Sequence, residues 1–385
     1  MTGRPPRLFV IAGEPSGDLL GGRLLAALRD RVGPGLEVAG IGGEAMRQQG
    51  LASMFPMAEL SLMGLVEVLP HLRQLGRRLA ETVDAIREMA PDAVVTIDVP
   101  AFCLRVARRL RGSGIPVIHY VAPSVWAWRP GRARRLAGTV DHLLALLPFE
   151  PPYFTVHGLA CSYVGHPVLE TVARSPAPPR RPVGAAPTLC LLPGSRRGEI
   201  ARHLPIFAEV VERLRPRFPR LTILLPTVAP VAEAIRSAVA GWPVPVRLVQ
   251  GEARYAAMAE ADAALSASGT VVLELAALGV PTVACYRVNP LTAAVVRRLI
   301  RVRYVTLVNL LLDRPLVPEL LQEHCTAPRL ADAVAALLED EAARRRQQEG
   351  FAEALATLAV AEPPSMRAAG IVLGMIGRAR RSQSV

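Results

Sequence analysis

The sequence contains no lysine: all 45 of its basic residues are arginine. That excludes chemistry built on an amine, including a P-loop lysine, a Schiff base or a pyridoxal phosphate lysine. Asparagine occurs only at positions 289 and 309, and a bias this broad reads as genomic base composition. Aromatic residues make up 4% of the chain against an apolar fraction of 51%, so its cores must be aliphatic. The five cysteines, Cys103, Cys161, Cys190, Cys285 and Cys325, are far apart and odd in number. They read as buried thiols of a reducing cytoplasm, not as a disulfide framework or a metal site. No uninterrupted apolar run reaches the roughly 20 residues of a spanning helix. The chain enters a strand almost at once, with no signal-peptide pattern before it. There is no finger, basic-region or aromatic-interleaved motif, so no nucleic-acid partner is expected.

What is present is a repeated rhythm of strand, glycine-bearing loop and helix. Apolar strands are expected at Arg7–Ala12, Leu36–Ile41, Asp92–Ile97, Ile115–Val121, His142–Leu147 and Ser162–Val164. A helix is expected from about Leu19 to Arg31. After the proline-rich stretch SPAPPRRPVGAAP at 175–187 the rhythm restarts, with strands at Thr188–Leu192, Leu221–Leu225, Val246–Val249 and Ala263–Leu265 and another after Pro281. This pattern predicts an α/β chain of two Rossmann-like domains facing across a cleft, at 1–173 and 188–350. Residues 360–385 are expected to form a closing helix that packs back on the first domain or on a partner chain. The +12 net charge suits anionic partners such as nucleotides, phosphorylated lipids or a membrane surface.

The most informative stretch is LSASGTVVLELAALGVPTVACYRVNP at 265–290. Ser268, Gly269 and Thr270 stand between a strand and a helix, where backbone N–H groups and hydroxyls can meet phosphate. Glu274, one turn on, can accept hydrogen bonds from a ribose diol. A plain αβ unit with a Ser/Thr cap explains the same residues. Arg196, after Pro193-Gly194-Ser195, offers a fixed cation for a diphosphate. Asp98 follows an apolar strand and precedes Val99-Pro100, at the strand end where such sheets bind ligands. It can remove a proton from an acceptor hydroxyl. The loop with Glu14, Ser16 and Asp18 reads equally as a structural turn or a ligand loop. Trp126 and Trp128, two of the three tryptophans, lie in one loop and mark either a pocket wall or aromatic packing. LSLMGLVEVLPHL at 60–72 reads as the start of a core helix or as an exposed patch of Leu60, Leu62, Met63, Leu65, Val66 and Leu69 beside Arg73, Arg77 and Arg78. Together these suit sugar transfer from a nucleotide donor, with arginine and N–H groups in place of a metal. The absence of a D-x-D acidic pair agrees with that.

AGEPSGD at 12–18, MGLVEVLP at 63–70, IDVPAF at 97–102, YVAPSVWAWRPGR at 120–132, LPFE at 147–150, VGHP at 164–167, LPGSRRGEI at 192–200, ASGTVVLE at 267–274, YRVNPLT at 286–292 and LVNLL at 307–311 occur in this order. The ordered set resembles the lipid-A-disaccharide synthase family of bacterial glycosyltransferases, over nearly the whole chain. The resemblance implies a GT-B fold and an inverting, cofactor-free transfer. UDP-2,3-diacylglucosamine would be the donor and 2,3-diacylglucosamine 1-phosphate (lipid X) the acceptor, giving a β-1,6-linked disaccharide 1-phosphate and UDP. It implies Asp98 as base, Glu14 and Ser16 near the reacting centre, and Arg196, Ser268, Gly269, Thr270, Glu274 and Asn309 on the UDP side. It also implies peripheral association with the anionic cytoplasmic face of the inner membrane, and for some members a homodimer through exchanged C-terminal segments. The chain departs from the pattern at Pro15, Asn289 and Val308. Asn289 replaces a basic residue, so no phosphate contact is carried over there. The rivals are a UDP-N-acetylglucosamine 2-epimerase of the same two-domain plan, a lipid-free glycosyltransferase, and a non-enzymatic nucleotide-binding or scaffold protein.

Overall fold

The structure is a computed structural model and describes residues 4–60, 72–128, 131–173, 186–251, 253–267, 269–289, 293, 299–300 and 302–383. The chain divides into two compact units, Met1–Pro167 with Val360–Val385, and Val168–Ala359.

The first unit is built on six parallel strands: β1 (Arg7–Ala12), β2 (Glu37–Ile41), β3 (Ala93–Ile97), β4 (Val117–Tyr120), β5 (His142–Ala145) and β6 (Ala160–Tyr163). They lie in the order β2-β1-β3-β4-β5-β6. The strands are apolar at successive positions because both faces of the sheet are covered. Leu8 and Val10 of β1, with Val95 and Ile97 of β3, face a core that includes Leu24, Leu25 and Leu28 of the helix Pro15–Val32. Phe9, Ile11 and Val94 face the opposite core, with Val83 and Ile86 of the helix Leu72–Met89. The C-terminal helix Pro364–Gln383 adds Ala368, Ala369, Val372 and Ile376 to the first of these cores. It therefore packs within its own chain.

The second unit repeats the plan with β7 (Thr188–Leu192), β8 (Thr222–Pro226), β9 (Val246–Val249), β10 (Ala263–Ala267), β11 (Thr282–Tyr286) and β12 (Glu319–Leu321), ordered β12-β11-β10-β7-β8-β9 and all parallel. Leu189, Leu191 and Leu265 face the helices Arg197–Leu214 and Ala327–Glu339. Cys190, Leu192 and Ala264 face the other side, with Leu275 of the helix Val271–Ala277.

Several expectations need correction. The first helix begins at Pro15, four residues before Leu19, because proline at the first helical position supplies the right φ and loses no hydrogen bond. Ser16 and Asp18 therefore belong to its first turn. Leu60 is no part of an exposed patch: it is 4% exposed and packs in the core with Phe55 and Leu79. Leu62, Met63, Leu65, Val66 and Leu69 lie outside the described residues, as does most of the proline-rich stretch. The charged run at 339–346 spans two helices. The helix Ala327–Glu339 stops, and Asp340 caps a new helix, Glu341–Thr357, by accepting from the Ala343 N–H at 3.1 Å.

Candidate active-site residues

In a parallel sheet the loops at the carboxyl ends of the strands share one edge, the usual ligand edge. In the first unit Asp98 stands at that edge, directly after β3. Its N–H donates to the Tyr120 carbonyl at 3.0 Å, which ties it to the end of β4. Asp98 and Val99 both adopt positive φ, 53° and 41°. For a β-branched residue such as Val99 this conformation is strained. Gly13, at the end of β1, allows it. A Cβ on Gly13 would stand 2.7 Å from Val99 Cγ2 and 3.0 Å from Leu60 Cβ. Absence of that Cβ lets the Glu14 and Asp98 loops approach each other. Glu14 is half-buried at the N-cap of the helix Pro15–Val32 and does not cap it with its side chain; Ser16 is exposed. Asp18 has a different task. It is 6% exposed and accepts from the N–H groups of Gly43, Ala45 and Met46 at 2.8–3.1 Å, so it serves structure, not ligand.

The same edge holds a carboxylate that sequence reasoning missed. Glu150, after β5, is 3% exposed. Its Oε2 accepts from the N–H groups of Leu146 and Leu147 at 3.1 and 3.0 Å, and its Oε1 accepts from Trp126 Nε1 at 3.1 Å. Burial pushes its pKa up to about 7 in spite of these donors. Trp126 also meets the Phe149 ring edge-on at 5.3 Å.

In the second unit Arg196 and Glu274 follow neighbouring strands, β7 and β10, at the carboxyl edge. Arg196 is the N-cap of the helix Arg197–Leu214. Its side chain is 57% exposed and pairs with Glu199 at 3.3 Å. Glu199 Oε2 accepts from the N–H groups of Ser195 and Arg196 at 3.1 and 3.3 Å, and Tyr286 Oη, at the end of β11, donates to Oε1 at 3.3 Å. Gly194, at φ 115°, fits this hairpin because a Cβ there would strike Glu199 Oε2 at 2.5 Å. His203 fastens the loop from below. Its Nδ1 donates to the Pro193 carbonyl at 3.1 Å, and its Nε2 accepts from the Arg287 N–H at 3.1 Å. Burial lowers its pKa, which suits this neutral tautomer.

Gly269 and Thr270 are exposed ahead of the seven-residue helix Val271–Ala277; Ser268 lies outside the described residues. Glu274 Oε1 accepts from Tyr255 Oη at 3.2 Å, and Tyr255 Oη in turn accepts from Arg254 Nη2 at 2.7 Å. Burial, then the Glu274 charge, holds the Tyr255 phenol above its usual range. Asn309 is 1% exposed and its amide is hydrogen-bonded within the unit. Nδ2 donates to the Val317 carbonyl at 2.8 Å and to Glu319 Oε1 at 2.9 Å, while Oδ1 accepts from the Val317 N–H at 2.8 Å. Its side chain holds the approach to β12, and both of its amide hydrogens are committed there. Among the described residues no group of three or more His, Cys, Asp or Glu side chains is placed to hold a metal ion.

The family profile described as lipid-A-disaccharide synthetase matches residues 8–367. The chain belongs to the lipid-A-disaccharide synthase family. A lipid-A-disaccharide synthase of Rhodospirillum centenum is 54% identical over 97% of this chain and 95% of its own length. The fold is that of GT-B glycosyltransferases. The glycosyltransferase of kitacinnamycin superposes with a TM-score of 0.63 at 18% identity, over 97% of this chain and all of its own. A UDP-N-acetylglucosamine 2-epimerase from Listeria monocytogenes, described as putative, superposes with a TM-score of 0.64 at 12% identity, over 96% of this chain and 95% of its own. Two such neighbours share the fold alone, so backbone shape does not separate transferase from epimerase. Family membership does: the activity is that of a lipid-A-disaccharide synthase, a glycosyltransferase of lipid A biosynthesis. Of this cluster the sequence singles out Glu274 as a candidate, but not its neighbours Arg254 and Tyr255. They precede β10, and only the fold brings them to a carboxylate some twenty positions on.

Proposed function

We propose that this lipid-A-disaccharide synthase transfers the sugar of UDP-2,3-diacylglucosamine to the 6-hydroxyl of 2,3-diacylglucosamine 1-phosphate in one inverting displacement. Asp98 takes the hydroxyl proton as the acceptor oxygen bonds to the anomeric carbon. The bond from that carbon to the diphosphate breaks, and UDP leaves with the electron pair. Glu14 and Ser16, on the neighbouring loop, orient the reacting sugar. On the donor side Arg196 and the Ser268–Thr270 segment meet the diphosphate, and Glu274, steadied by Tyr255, accepts from the ribose diol. Asn309 contributes by holding backbone.

The observation that carries this reading is Asp98 itself. It is a carboxylate at the carboxyl end of a central strand, on a backbone bent into positive φ against a glycine. The enzyme works at the cytoplasmic face of the inner membrane, bound peripherally through the 62–69 stretch. No described helix is long and apolar enough to cross a membrane. The test is Asp98→Asn, which keeps the size and removes the base. It should bind UDP as the wild type does and lose turnover by roughly 10²–10⁴-fold. Near-normal turnover would exclude Asp98 as the base.

A further inference from the structure

The edge of the first sheet carries a group that the proposed transfer leaves unused. Segment 121–128 leaves β4 beside Asp98. Its first residue, Val121, is bent to φ 81°, and its N–H donates to the Leu144 carbonyl of β5 at 3.0 Å. The segment is anchored at Trp126 by the buried Glu150, which gathers three N–H donors. An anchor of this kind fixes the residues next to it in the chain. Trp128 is 37% exposed, in a chain where large apolar side chains are mostly buried. The Arg132 guanidinium lies 4.7 Å from the centre of its ring. The guanidinium covers one face of the indole, and the exposed remainder is a flat apolar surface that suits the C–H face of a pyranose. A guanidinium stacked on that ring is held in place beside it, and its forked donors match a phosphate.

We propose that Trp128 and Arg132 form the acceptor subsite, the indole receiving the sugar ring and the guanidinium its 1-phosphate, with Glu150 as a positioning residue acting through Trp126. This rests on the proposed reaction, in which the acceptor is a phosphorylated sugar. It adds a recognition role to two residues that would otherwise be loop packing. The pair lies in the segment that follows β4, whose last residue Tyr120 accepts from the Asp98 N–H, so that segment leaves the sheet beside the proposed base.

Steady-state kinetics with donor and acceptor varied independently test it. Trp128→Ala and Arg132→Gln should each raise the acceptor KM about tenfold or more, with the donor KM unchanged. The Arg132→Gln effect should vanish with an acceptor lacking the 1-phosphate, while the Trp128→Ala effect remains. Glu150→Gln and Trp126→Phe should raise the acceptor KM alone, and their double variant should be no worse than the poorer single one. The unchanged donor KM shows that these variants are folded. An unchanged acceptor KM, equal losses for donor and acceptor, or an Arg132→Gln penalty independent of the phosphate would overturn the proposal. Wild-type enzyme that makes no disaccharide would instead overturn the proposed reaction, and the acceptor subsite with it.

Discussion

At the scale of single residues, the two carboxylates at the edge of the first sheet illustrate opposite environments. Asp98 stands half-buried on backbone bent into positive φ, where the proposed reaction puts its base, while Glu150 is buried among N–H donors. Because burial raises the Glu150 pKa to about 7 from an ordinary 4.5, the folded protein holds a proton there that the unfolded chain releases. The contribution of this group to stability is therefore full below pH 4.5 and is lost as pH rises through 7. Denaturant titrations of wild type and Glu150→Gln between about pH 4 and 8 should show the wild type losing on the order of 3 kcal/mol relative to the variant over that window. A constant difference would contradict the assignment. Asp98 was legible because an apolar strand stops at it and proline lies two residues on. Glu150 was not, since a carboxylate after Pro148-Phe149 looks like any turn residue until the fold sets Trp126 and two backbone donors around it.

At the scale of elements, the C-terminal helix Pro364–Gln383 is fastened by one aspartate. Asp92 has a side chain 4% exposed and accepts from Arg4 at 2.9 Å, from Arg380 at 2.7 and 3.0 Å, and from the Arg7 N–H at 2.8 Å. Burial alone would raise its pKa; Arg380, the Arg7 N–H and Arg4 outweigh it and hold the carboxyl below its usual range. Its contribution is therefore present above about pH 4 and lost as pH falls through the lowered pKa. Arg380→Ala should lower unfolding stability by roughly 1–3 kcal/mol at about pH 7, with the difference shrinking toward zero in acid. A pH-independent loss would mean that packing alone is responsible. The closing helix itself was legible from its amphipathic spacing, but its latch joins residues 288 positions apart and has no local signal. Short elements were equally silent. β12 has three residues and no alternation to read, and glycine, proline and serine disguised the first helical turn as a loop.

At the scale of the whole molecule, the rhythm of apolar strands was enough to read two α/β units, because parallel strands covered on both faces leave long aliphatic runs. Function was less legible from shape than from sequence, as the fold is shared with a transferase and an epimerase alike. The ordered set of loop motifs carried the distinction, and the family profile over residues 8–367 settles it. The proposed membrane association is a property of this scale too. Replacing Leu62, Met63 and Leu65 by serine should move the protein from the membrane to the supernatant fraction on flotation with anionic vesicles, with activity on detergent-dispersed substrates retained. An unchanged membrane fraction would refute the patch.

The central claim is tested most directly by giving the purified protein UDP-2,3-diacylglucosamine and 2,3-diacylglucosamine 1-phosphate and monitoring both products by mass spectrometry and NMR. The expected result is equimolar UDP and a β-1,6-linked tetraacyl disaccharide 1-phosphate. UDP released without disaccharide, or turnover confined to UDP-N-acetylglucosamine with inversion at C2, would contradict it.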